Sequence, residues 1–159
     1  MVPIERKTTF VKDYMSNRLV TVESDTNAFE IANKMMEEQV SAVIVTDSGK
    51  SVGILTERDL TRQVCAKDSP PSKTPATAIM TTPLVSVDKD SRIEMAAESM
   101  AKNKIRHLVV KDNDKIIGMI TTTDLSRYVK DKLSGEEGVS NSILEALYPS
   151  EEPSEESWW

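Results

Sequence analysis

The residues best suited to chemistry in this chain form a short motif that occurs twice. The motif is Gly-x-x-Thr-x-x-Asp, found from Gly53 to Asp59 and again from Gly118 to Asp124. A carboxylate in the first turn of a helix can accept hydrogen bonds from both hydroxyls of a ribose, and the free N–H groups at a helix N-terminus attract phosphate. A glycine ahead of the threonine leaves room for a flat base beside the strand. The motif therefore predicts a site for a nucleoside phosphate.

The same residues also have a purely structural interpretation. Thr56 with Asp59, and Thr121 with Asp124, have nearly the spacing of a helix capping box, in which the two side chains satisfy backbone N–H groups. Two observations favour a ligand site. Both copies are expected to join a strand to a helix, and the whole constellation occurs twice in the same context. Capping and ligand binding both remain open at this point.

Both copies of the motif lie inside a longer internal repeat. Shifting the sequence by 65 residues without a gap aligns the segment from Met15 to Val64 with the segment from Met80 to Val129, and identical residues fall at turns and at apolar positions. Two copies of a unit this long are typical of a pair of small domains rather than a solenoid. A chain of 159 residues is near the usual size of one compact domain, so we expect the repeats to share one core.

Each repeat has the pattern of a strand, a helix, two further strands and a closing helix, which predicts an α/β (α+β) fold. The closing helices are expected at residues 57–66 and 122–133, directly after the motifs. One turn of helix ahead of each repeat, at residues 10–15 and 76–80, is expected to dock on the neighbouring repeat. Apolar residues spaced three and four apart predict the first helix of each repeat, and short β-branched runs predict the strands. The first helices are predicted at residues 28–36 and 93–101 with caps near Asp25–Thr26 and Asp90–Ser91, and the strands at residues 19–22, 42–45, 52–55, 84–87, 108–110 and 117–120.

These elements divide the chain into four parts. Repeat 1 covers residues 8–66, a linker covers residues 67–75, repeat 2 covers residues 76–133, and an acidic tail covers residues 134–159. The linker contains three prolines and no apolar periodicity, so we expect a segment stiffened by local polyproline geometry.

The tail accounts for the formal net charge of −6, and the rest of the chain is close to neutral. A neutral body disfavours a nucleic-acid-binding protein held by phosphate contacts. The tail has a disordered composition, apart from residues 139–148, which could form one short helix. For Trp158 and Trp159 two interpretations stay open: a free end, or a segment that folds back or crosses to a dimer mate and caps a cleft.

Several kinds of protein are disfavoured by what the sequence lacks. No apolar run is long enough for a membrane span and the first residues have no secretory signal, so we expect a soluble, cytoplasmic protein. Cys65 and His107 are the only cysteine and histidine, which leaves none of the usual ligand sets for a metal site. No nucleophile lies at a recognisable catalytic spacing from a base, so we do not expect an enzyme.

The duplicated strand-helix-strand-strand-helix repeat and the Gly-x-x-Thr-x-x-Asp-Leu signature resemble the CBS domain pair, the cystathionine-β-synthase-type regulatory (Bateman) module. The resemblance covers residues 8–133. It implies a pseudo-twofold disc with two clefts between the repeats, a homodimer packed through helices, and adenosine-containing ligands such as AMP, ADP, ATP or S-adenosylmethionine. The implied function is a sensor that acts on another protein through a conformational or assembly change. A ligand-independent dimerisation or interaction module is the alternative.

The resemblance also implies roles for individual residues. Asp59 and Asp124 would hold ribose hydroxyls, and Thr56 and Thr121 would contact ribose or phosphate. The opposite repeat would supply the other wall of each cleft, where the chain entering the middle strand offers backbone groups to adenine and apolar neighbours sandwich the base. The remaining implied residues are Arg58 and Thr123 on the motif edge, and Ser41, Ala42, Arg106, His107, Ile54 and Met119 on the opposite wall and against the base.

The two copies differ in their basic residues, and this difference selects a preferred site. Ser41 and Ala42 are small and uncharged where Arg106 and His107 are basic, and arginine is the better bidentate phosphate ligand. The preferred site combines the second motif, Thr121 to Asp124, with this small wall and has one of the two basic residues near phosphate. The cleft of the first motif is expected to be weaker, to select another ligand or to be empty.

Overall fold

The computed structural model describes residues 8–134 of the chain. The predictions for the acidic tail, its short helix and the two terminal tryptophans fall on residues 135–159, outside this part. Within residues 8–134, the helices are too short or too polar to cross a membrane.

The first repeat forms a three-stranded sheet with helical segments between and after its strands. Its elements are β1 (Thr21–Glu23), α1 (Ala28–Glu38), β2 (Ala42–Asp47), β3 (Lys50–Thr56) and α2 (Glu57–Asp59). The strand order is β1-β2-β3, with β1 parallel to β2 and β2 antiparallel to β3. After its single turn, α2 continues as a π-helical segment, Leu60–Cys65. The predicted closing helix is therefore present, but it is not α-helical beyond its first turn.

The second repeat follows the same plan after a short linker. A 3₁₀ turn at Pro71–Lys73 interrupts the linker, so it is not a uniform polyproline segment. Strand order and directions match those of the first repeat, and the predicted α/β (α+β) class with its strand-helix-strand-strand-helix order is confirmed. The elements are α3 (Ala76–Ile79), β4 (Ser86–Asp88), α4 (Ile93–Asn103), β5 (His107–Asp112), β6 (Lys115–Thr121) and α5 (Thr122–Leu133).

The first helix of each repeat begins slightly later than the predicted caps. Asn27 caps α1, because its side-chain oxygen accepts a hydrogen bond from a first-turn N–H at 3.0 Å. The cap therefore lies one residue after the predicted position near Asp25–Thr26. The cap position of α4 is Arg92, which makes no side-chain cap. The carboxylate of the predicted cap, Asp90, is instead paired with Lys12 at 2.6 Å.

The described residues pack into three apolar clusters, not into the one shared core that the sequence predicts. Each repeat has its own cluster, and the third joins the two sheets. Successive side chains of a strand point to opposite faces, so Val43 of β2 packs with its own helices while Ile44 packs against the other repeat. The two repeats therefore meet sheet to sheet, as the pseudo-twofold arrangement requires. The buried members of the third cluster are Ala42, Ile44, Val109 and Met119.

The segment that precedes each repeat packs on the other repeat, as predicted. Val11, in a 3₁₀ turn at Val11–Asp13, is fully buried in the cluster of the second repeat. Ala76 and Ile79 of α3 are buried in the cluster of the first. Each repeat therefore completes its core with residues that lie before the other repeat in the sequence, and we call residues 8–16 and 74–81 the exchanged segments.

The exchanged segments also extend the sheets. Ser16 and Met119 exchange two backbone hydrogen bonds of 2.9 Å, so the first segment lies beside β6. Thr81 and Ile54 make the equivalent pair at 2.8 and 3.0 Å, beside β3. Because β3 and β6 lead directly into the two motifs, the exchanged segments form part of the surroundings of each motif.

Candidate functional site

In both copies of the motif the threonine ends a strand and the aspartate lies in the first turn of the next helix. The Thr56 side chain accepts a hydrogen bond from the Asp59 N–H at 3.3 Å, and the Thr56 N–H donates to Asp59 Oδ2 at 2.8 Å. Thr121 and Asp124 make the same two bonds at 3.4 and 2.8 Å. The capping interpretation is therefore correct for both copies. A ligand can use only the atoms that the caps leave over.

The first backbone N–H of each turn is also satisfied inside the protein. The Glu57 N–H donates to the carbonyl of Ser41, and the Thr122 N–H donates to the carbonyl of Arg106, both at 3.1 Å. These two carbonyls therefore already accept one hydrogen bond, and only their second lone pairs are left for the edge of a base. With two of the first three N–H groups of each turn already bonded, a phosphate at either turn must be held mainly by side chains.

The glycine of each motif is required by the exchanged segments. A Cβ atom at Gly53 would lie 2.6 Å from Met80 Sδ and 3.1 Å from the carbonyl oxygen of Thr81. A Cβ atom at Gly118 would collide with the carbonyl oxygen of Ser16. The prediction that these glycines make room for a flat base is therefore wrong, because side-chain and backbone atoms of the exchanged segments occupy that space.

The second oxygen of the motif carboxylate is bound differently in the two copies. Within residues 8–134, Asp59 Oδ1 has one long contact, at 3.4 Å from the hydroxyl of Thr81. Asp124 Oδ1 accepts a hydrogen bond from Arg127 at 3.0 Å, and the same guanidinium nitrogen donates to the Tyr14 carbonyl at 2.8 Å. The Asp124 side chain is 13% exposed. The carboxylate with more capacity for a ribose is therefore Asp59, in the cleft that the sequence analysis ranked second.

Aromatic contacts hold Arg127 in this position. The ring of Tyr14 lies 5.6 Å from the guanidinium carbon of Arg127 and packs edge-on against Tyr128, with ring centroids 5.5 Å apart. The Tyr14 hydroxyl donates to Asp131 Oδ2 at 2.6 Å. Burial and this hydrogen bond raise the pKa of Tyr14 to about 12, so the hydroxyl stays protonated. The second motif is thereby tied to the first exchanged segment.

A cavity of about 410 Å³ lies between the two motifs and is lined by both repeats. Its volume suits a small-molecule ligand. The wall combines isoleucine side chains with hydroxyl, carboxylate and cationic groups, so an amphipathic ligand has a partner at each end. The structure brings together on this wall the predicted residues Ser41, Ile54, Thr56, Arg58, Asp59, Arg106, His107, Thr121 and Thr123.

Three predicted site residues do not line the cavity: Ala42, Met119 and Asp124. Ala42 and Met119 are each 8% exposed and belong to the cluster between the sheets. They join the two repeats instead of facing the cavity. Asp124 is engaged by Arg127, as described above. The structure therefore combines residues of both predicted clefts in one space, with the first motif supplying the carboxylate.

Besides Glu57 and Thr122, which lie inside the motifs, and Ile105, which adjoins the predicted Arg106, three lining residues were not identified from the sequence: Arg62, Thr81 and Lys104. Arg62 and Arg127 occupy the same position of the repeat, three residues after the motif aspartate, so the repeat carried a signal for Arg62. Thr81 reaches the cavity only because the exchanged segment lies beside β3. Lys104 is placed by the left-handed residue conformation that ends α4, with φ of 54°. Neither of these last two has a local sequence signal.

The cavity wall carries more positive than negative side chains. Within residues 8–134, none of its arginine or lysine side chains forms an ion pair. Cations that share one space without carboxylate partners favour an anionic ligand. The same described residues contain no group of histidine, cysteine or carboxylate side chains arranged to hold a metal ion. The cations are Arg58, Arg62, Lys104 and Arg106, and the carboxylates are Glu57 and Asp59.

His107 links the two repeats at the cavity wall. Its Nε2 lies 2.8 Å from the hydroxyl of Ser41, a hydrogen-bond distance whose donor depends on the imidazole tautomer. Burial lowers the pKa of His107, and the positive charges of Arg106 and Arg58 lower it further, against a smaller opposing effect of the two motif aspartates. The imidazole is therefore mainly neutral at pH 7.

Comparison with known proteins covers both repeats and both copies of the motif. The family model of the CBS domain matches residues 11–65 and 76–131. The CBS domain-containing protein YhcV of Bacillus subtilis is 32% identical over 116 residues, which cover 73% of this chain and 82% of YhcV. An uncharacterized protein of Methanopyrus kandleri is 37% identical over 109 residues, or 67% of this chain. That match spans 56% of the M. kandleri protein.

A solved structure with a bound ligand is also similar. It is the CBS domain pair of the protein MJ0100 in complex with 5′-methylthioadenosine and S-adenosyl-L-methionine. The two chains superpose with a TM-score of 0.70 at 27% identity, over 79% of this chain and 98% of the other. The similarity therefore spans the whole of that domain pair.

Proposed function

The chain belongs to the CBS domain family, and from that premise we propose that it is a regulatory module, not an enzyme, that binds an adenosine-containing ligand between its two repeats. Binding changes the arrangement of the repeats or of their assembly, and a separate protein responds to that change. The proposed assembly is a homodimer.

One observation carries this proposal: a single cavity offers a partner to each part of a nucleotide. Ile54 and Ile105 give an apolar surface for a base. Asp59 keeps one carboxylate oxygen beyond its cap, and a carboxylate can accept hydrogen bonds from ribose hydroxyls. The cationic side chains of the same wall suit phosphate. A cavity of about 410 Å³ has room for a ligand of this size.

The similar domain pair of MJ0100 supports adenosine as the shared part of the ligand. Both compounds in that complex, 5′-methylthioadenosine and S-adenosyl-L-methionine, contain an adenosyl group. Because this chain is 27% identical to that pair, we propose the adenosyl group here and derive the rest of the ligand from this chain's own residues.

We propose that the first motif, not the second, binds the ribose. Asp59 lines the cavity and, within residues 8–134, has only a 3.4 Å contact on its second oxygen, whereas the equivalent oxygen of Asp124 is bound to Arg127 at 3.0 Å. A ribose at Asp124 would have to displace Arg127 from that carboxylate and from the Tyr14 carbonyl. This reverses the preference drawn from the sequence.

The Ser41–His107 contact provides a route from ligand to output. The two side chains belong to different repeats, meet at 2.8 Å and both line the cavity. A ligand in the cavity competes with this contact or strengthens it, and either change alters how the repeats fit together. This route from ligand to output requires no chemical change in the ligand.

The test is a binding measurement on the full chain after removal of carried-over nucleotide. Thermal shift and calorimetry are run with AMP, ADP, ATP and S-adenosylmethionine, since a ligand at about 100 times its dissociation constant stabilises a protein by roughly 2.7 kcal/mol. Asp59→Asn and Asp124→Asn form a matched pair, because asparagine keeps the size and one oxygen for the cap. We expect Asp59→Asn to weaken binding about tenfold or more, and Asp124→Asn to leave it within about threefold.

The complete capping boxes favour the alternative function, a ligand-independent interaction module. In that case no adenosine compound shifts the melting temperature. Both aspartate variants then cost at most the stability of a cap, about 1 kcal/mol, with no binding to lose. Flat melting curves for all four compounds would overturn the sensor.

A further inference from the structure

We infer that the ligand of this cavity carries at least two phosphate groups, and that Arg62 and Lys104 act with Arg58 and Arg106 to bind them. This rests on the proposed function, and it selects ADP or ATP over AMP and S-adenosylmethionine. The sequence alone leaves this choice open, because it depends on which basic side chains converge on one space.

The four cations reach the cavity from both repeats. Arg58 lies in α2, and Arg62 lies in the π-helical segment that follows. Lys104 ends α4, and Arg106 stands just before β5. Two cations therefore come from each side of the cavity. An extended polyphosphate can contact both sides at once, and its larger charge and number of oxygens give more of the four cations a partner than a single phosphate does.

The lack of ion pairs distinguishes the three cavity arginines from the other arginines of residues 8–134. Arg18, Arg92 and Arg127 are paired with carboxylates at 2.6, 3.6 and 3.0 Å. Within residues 8–134 the four cavity cations have no such partner, although the folded part of the chain is close to neutral overall. Like charges held in one space destabilise the empty protein. A polyanionic ligand removes that repulsion as it binds.

Arg62 and Arg127 occupy the same position of the repeat but make different contacts. In the second repeat Arg127 lies on a regular helix, pairs with Asp124 and packs on the ring of Tyr14. In the first repeat the π-helical segment begins at the residue after Asp59. The angle around the helix axis between Asp59 and Arg62 therefore differs from that between two residues three apart on a regular α-helix. The position equivalent to Tyr14 is Ile79, which offers no ring. Among the described residues, Arg62 is therefore left without a carboxylate partner on the cavity wall.

The charge balance decides against S-adenosylmethionine. Its sulfonium and ammonium groups outweigh its carboxylate, so it carries a net positive charge into a wall whose cations outnumber its carboxylates. The lowered pKa of His107, caused in part by Arg106 and Arg58, is consistent with a positive field at this wall. A di- or triphosphate chain has the opposite sign and matches arginine in geometry.

The experiment compares dissociation constants of the full chain for ATP, ADP, AMP, S-adenosylmethionine and sodium tripolyphosphate by calorimetry. We expect ATP and ADP to bind at least about tenfold more tightly than AMP, and S-adenosylmethionine to bind most weakly. Arg62→Gln and Lys104→Gln should each weaken ATP binding about tenfold while changing AMP binding by less than about threefold.

Two variants serve as controls. Arg127→Gln is the matched control for Arg62→Gln, because it removes the same side chain at the same repeat position where Asp124 already binds it. Lys115→Gln removes a cation at the far end of β6 from the motif. Both should leave the ratio of ATP to AMP affinity unchanged. Circular dichroism and melting temperature establish that each variant is folded.

The outcomes separate this inference from the proposed function. If AMP or S-adenosylmethionine binds as tightly as ATP, and Arg62→Gln and Lys104→Gln leave that pattern unchanged, the polyphosphate inference fails and the adenosine sensor stands. If tripolyphosphate binds as tightly as ATP and loses affinity in both variants, the cationic site is supported and adenosine recognition fails. If no compound binds, both are overturned.

Discussion

His107 is the residue whose charge state changes nearest to neutral pH, and its position makes that change consequential. Its pKa is lowered by burial first and then by Arg106 and Arg58, while Asp59 and Asp124 act in the opposite direction. The folded protein therefore resists protonation of His107 more than the unfolded chain does, where the ordinary value is about 6.5.

This difference predicts a loss of stability in mild acid. As pH falls below about 6.5, the unfolded chain takes up a proton that the folded protein does not, so the free energy of unfolding decreases until pH reaches the folded-state pKa. Above about pH 7.5 the residue contributes no pH dependence. Urea unfolding between about pH 5 and 7.5 should show a steeper loss for the wild type than for His107→Asn, since carboxylate contributions are common to both. Equal slopes would contradict the prediction.

A polyphosphate in the cavity should reverse the effect on His107. Negative charge beside the imidazole favours its protonated form, so its pKa rises when ATP binds. Binding near pH 6.5 should then be accompanied by proton uptake, seen as a dependence of the calorimetric enthalpy on the ionisation enthalpy of the buffer. The uptake should be lost in His107→Gln. The same enthalpy in every buffer for the wild type would show that no phosphate lies near His107.

The motif glycines should differ in their tolerance of a side chain. A Cβ atom at Gly118 meets the backbone carbonyl of Ser16, which cannot move without shifting the first exchanged segment. At Gly53 the nearest atom belongs to the flexible Met80 side chain. Gly118→Ala should therefore cost about 1–3 kcal/mol of unfolding free energy, and Gly53→Ala less. Denaturant melts of the two variants measure the order, and a larger loss at Gly53 would refute the reasoning.

Among the elements, the exchanged segments decide how the two cores depend on each other. Val11 completes the second repeat's cluster and Ile79 the first repeat's. Val11→Ala should cost about 1–3 kcal/mol and Ile79→Ala about 2–5 kcal/mol, because each opens a cavity in a packed cluster. Amide hydrogen exchange locates the damage. Val11→Ala should speed exchange in β5 and β6 more than in β2 and β3, and Ile79→Ala should do the reverse. Faster exchange confined to the repeat nearest in sequence would disprove the exchange of segments.

The sequence predicts elements well where the signal is local and poorly where it depends on the other repeat. The apolar spacing of residues 28–36 and the turn after Thr121 predict α1 and α5, because propensity, periodicity and capping agree there. The π-helical form of Leu60–Cys65 has no such local signal. Asp90 does not cap α4, because its carboxylate pairs with Lys12 of the first exchanged segment.

The candidate site, too, is predicted well where the signal is local and poorly where it depends on distant parts of the chain. The motif predicts the two strand-to-helix turns that hold Thr56, Asp59 and their repeat equivalents, because the same residue pattern occurs at the end of a strand in both repeats. It does not reveal that Arg127 occupies one of the two carboxylates, because that bond depends on Tyr14 being brought from a distant part of the chain. The ranking of the two clefts could not follow from small and basic residues alone.

In the whole molecule, the two repeats have the same fold, but their motif carboxylates make different contacts. Both motifs line the cavity, but Arg127 ties the carboxylate of Asp124 to the first exchanged segment, whereas Asp59 faces the cavity. The Ser41–His107 contact joins the two repeats where the ligand is proposed to bind. Ligand binding at a site shared in this way depends on how the two repeats are arranged, whereas binding at a site inside one repeat would not.

The surface available for a homodimer differs from the helical stripes that the sequence emphasises. Ile31 and Met35 of α1 are buried in the protein's own core, so they are not free for a partner. The exposed large apolar side chains of that helix are Phe29, at 58% exposure, and Met36, at 70%. They lie seven residues apart and so on the same face of α1.

We therefore expect a homodimer that depends on this face of α1. The double variant Phe29→Glu with Met36→Glu should be monomeric in sedimentation or light-scattering measurements at concentrations where the wild type is a dimer, because charge on a buried apolar interface is costly. Its melting temperature should fall toward that of the diluted wild type, since the dimer contributes to stability by mass action. Val129→Glu on α5, where the side chain is 39% exposed, is the control and should stay dimeric. A wild type that is monomeric at high concentration, or a double variant that remains a dimer, would place the assembly surface elsewhere.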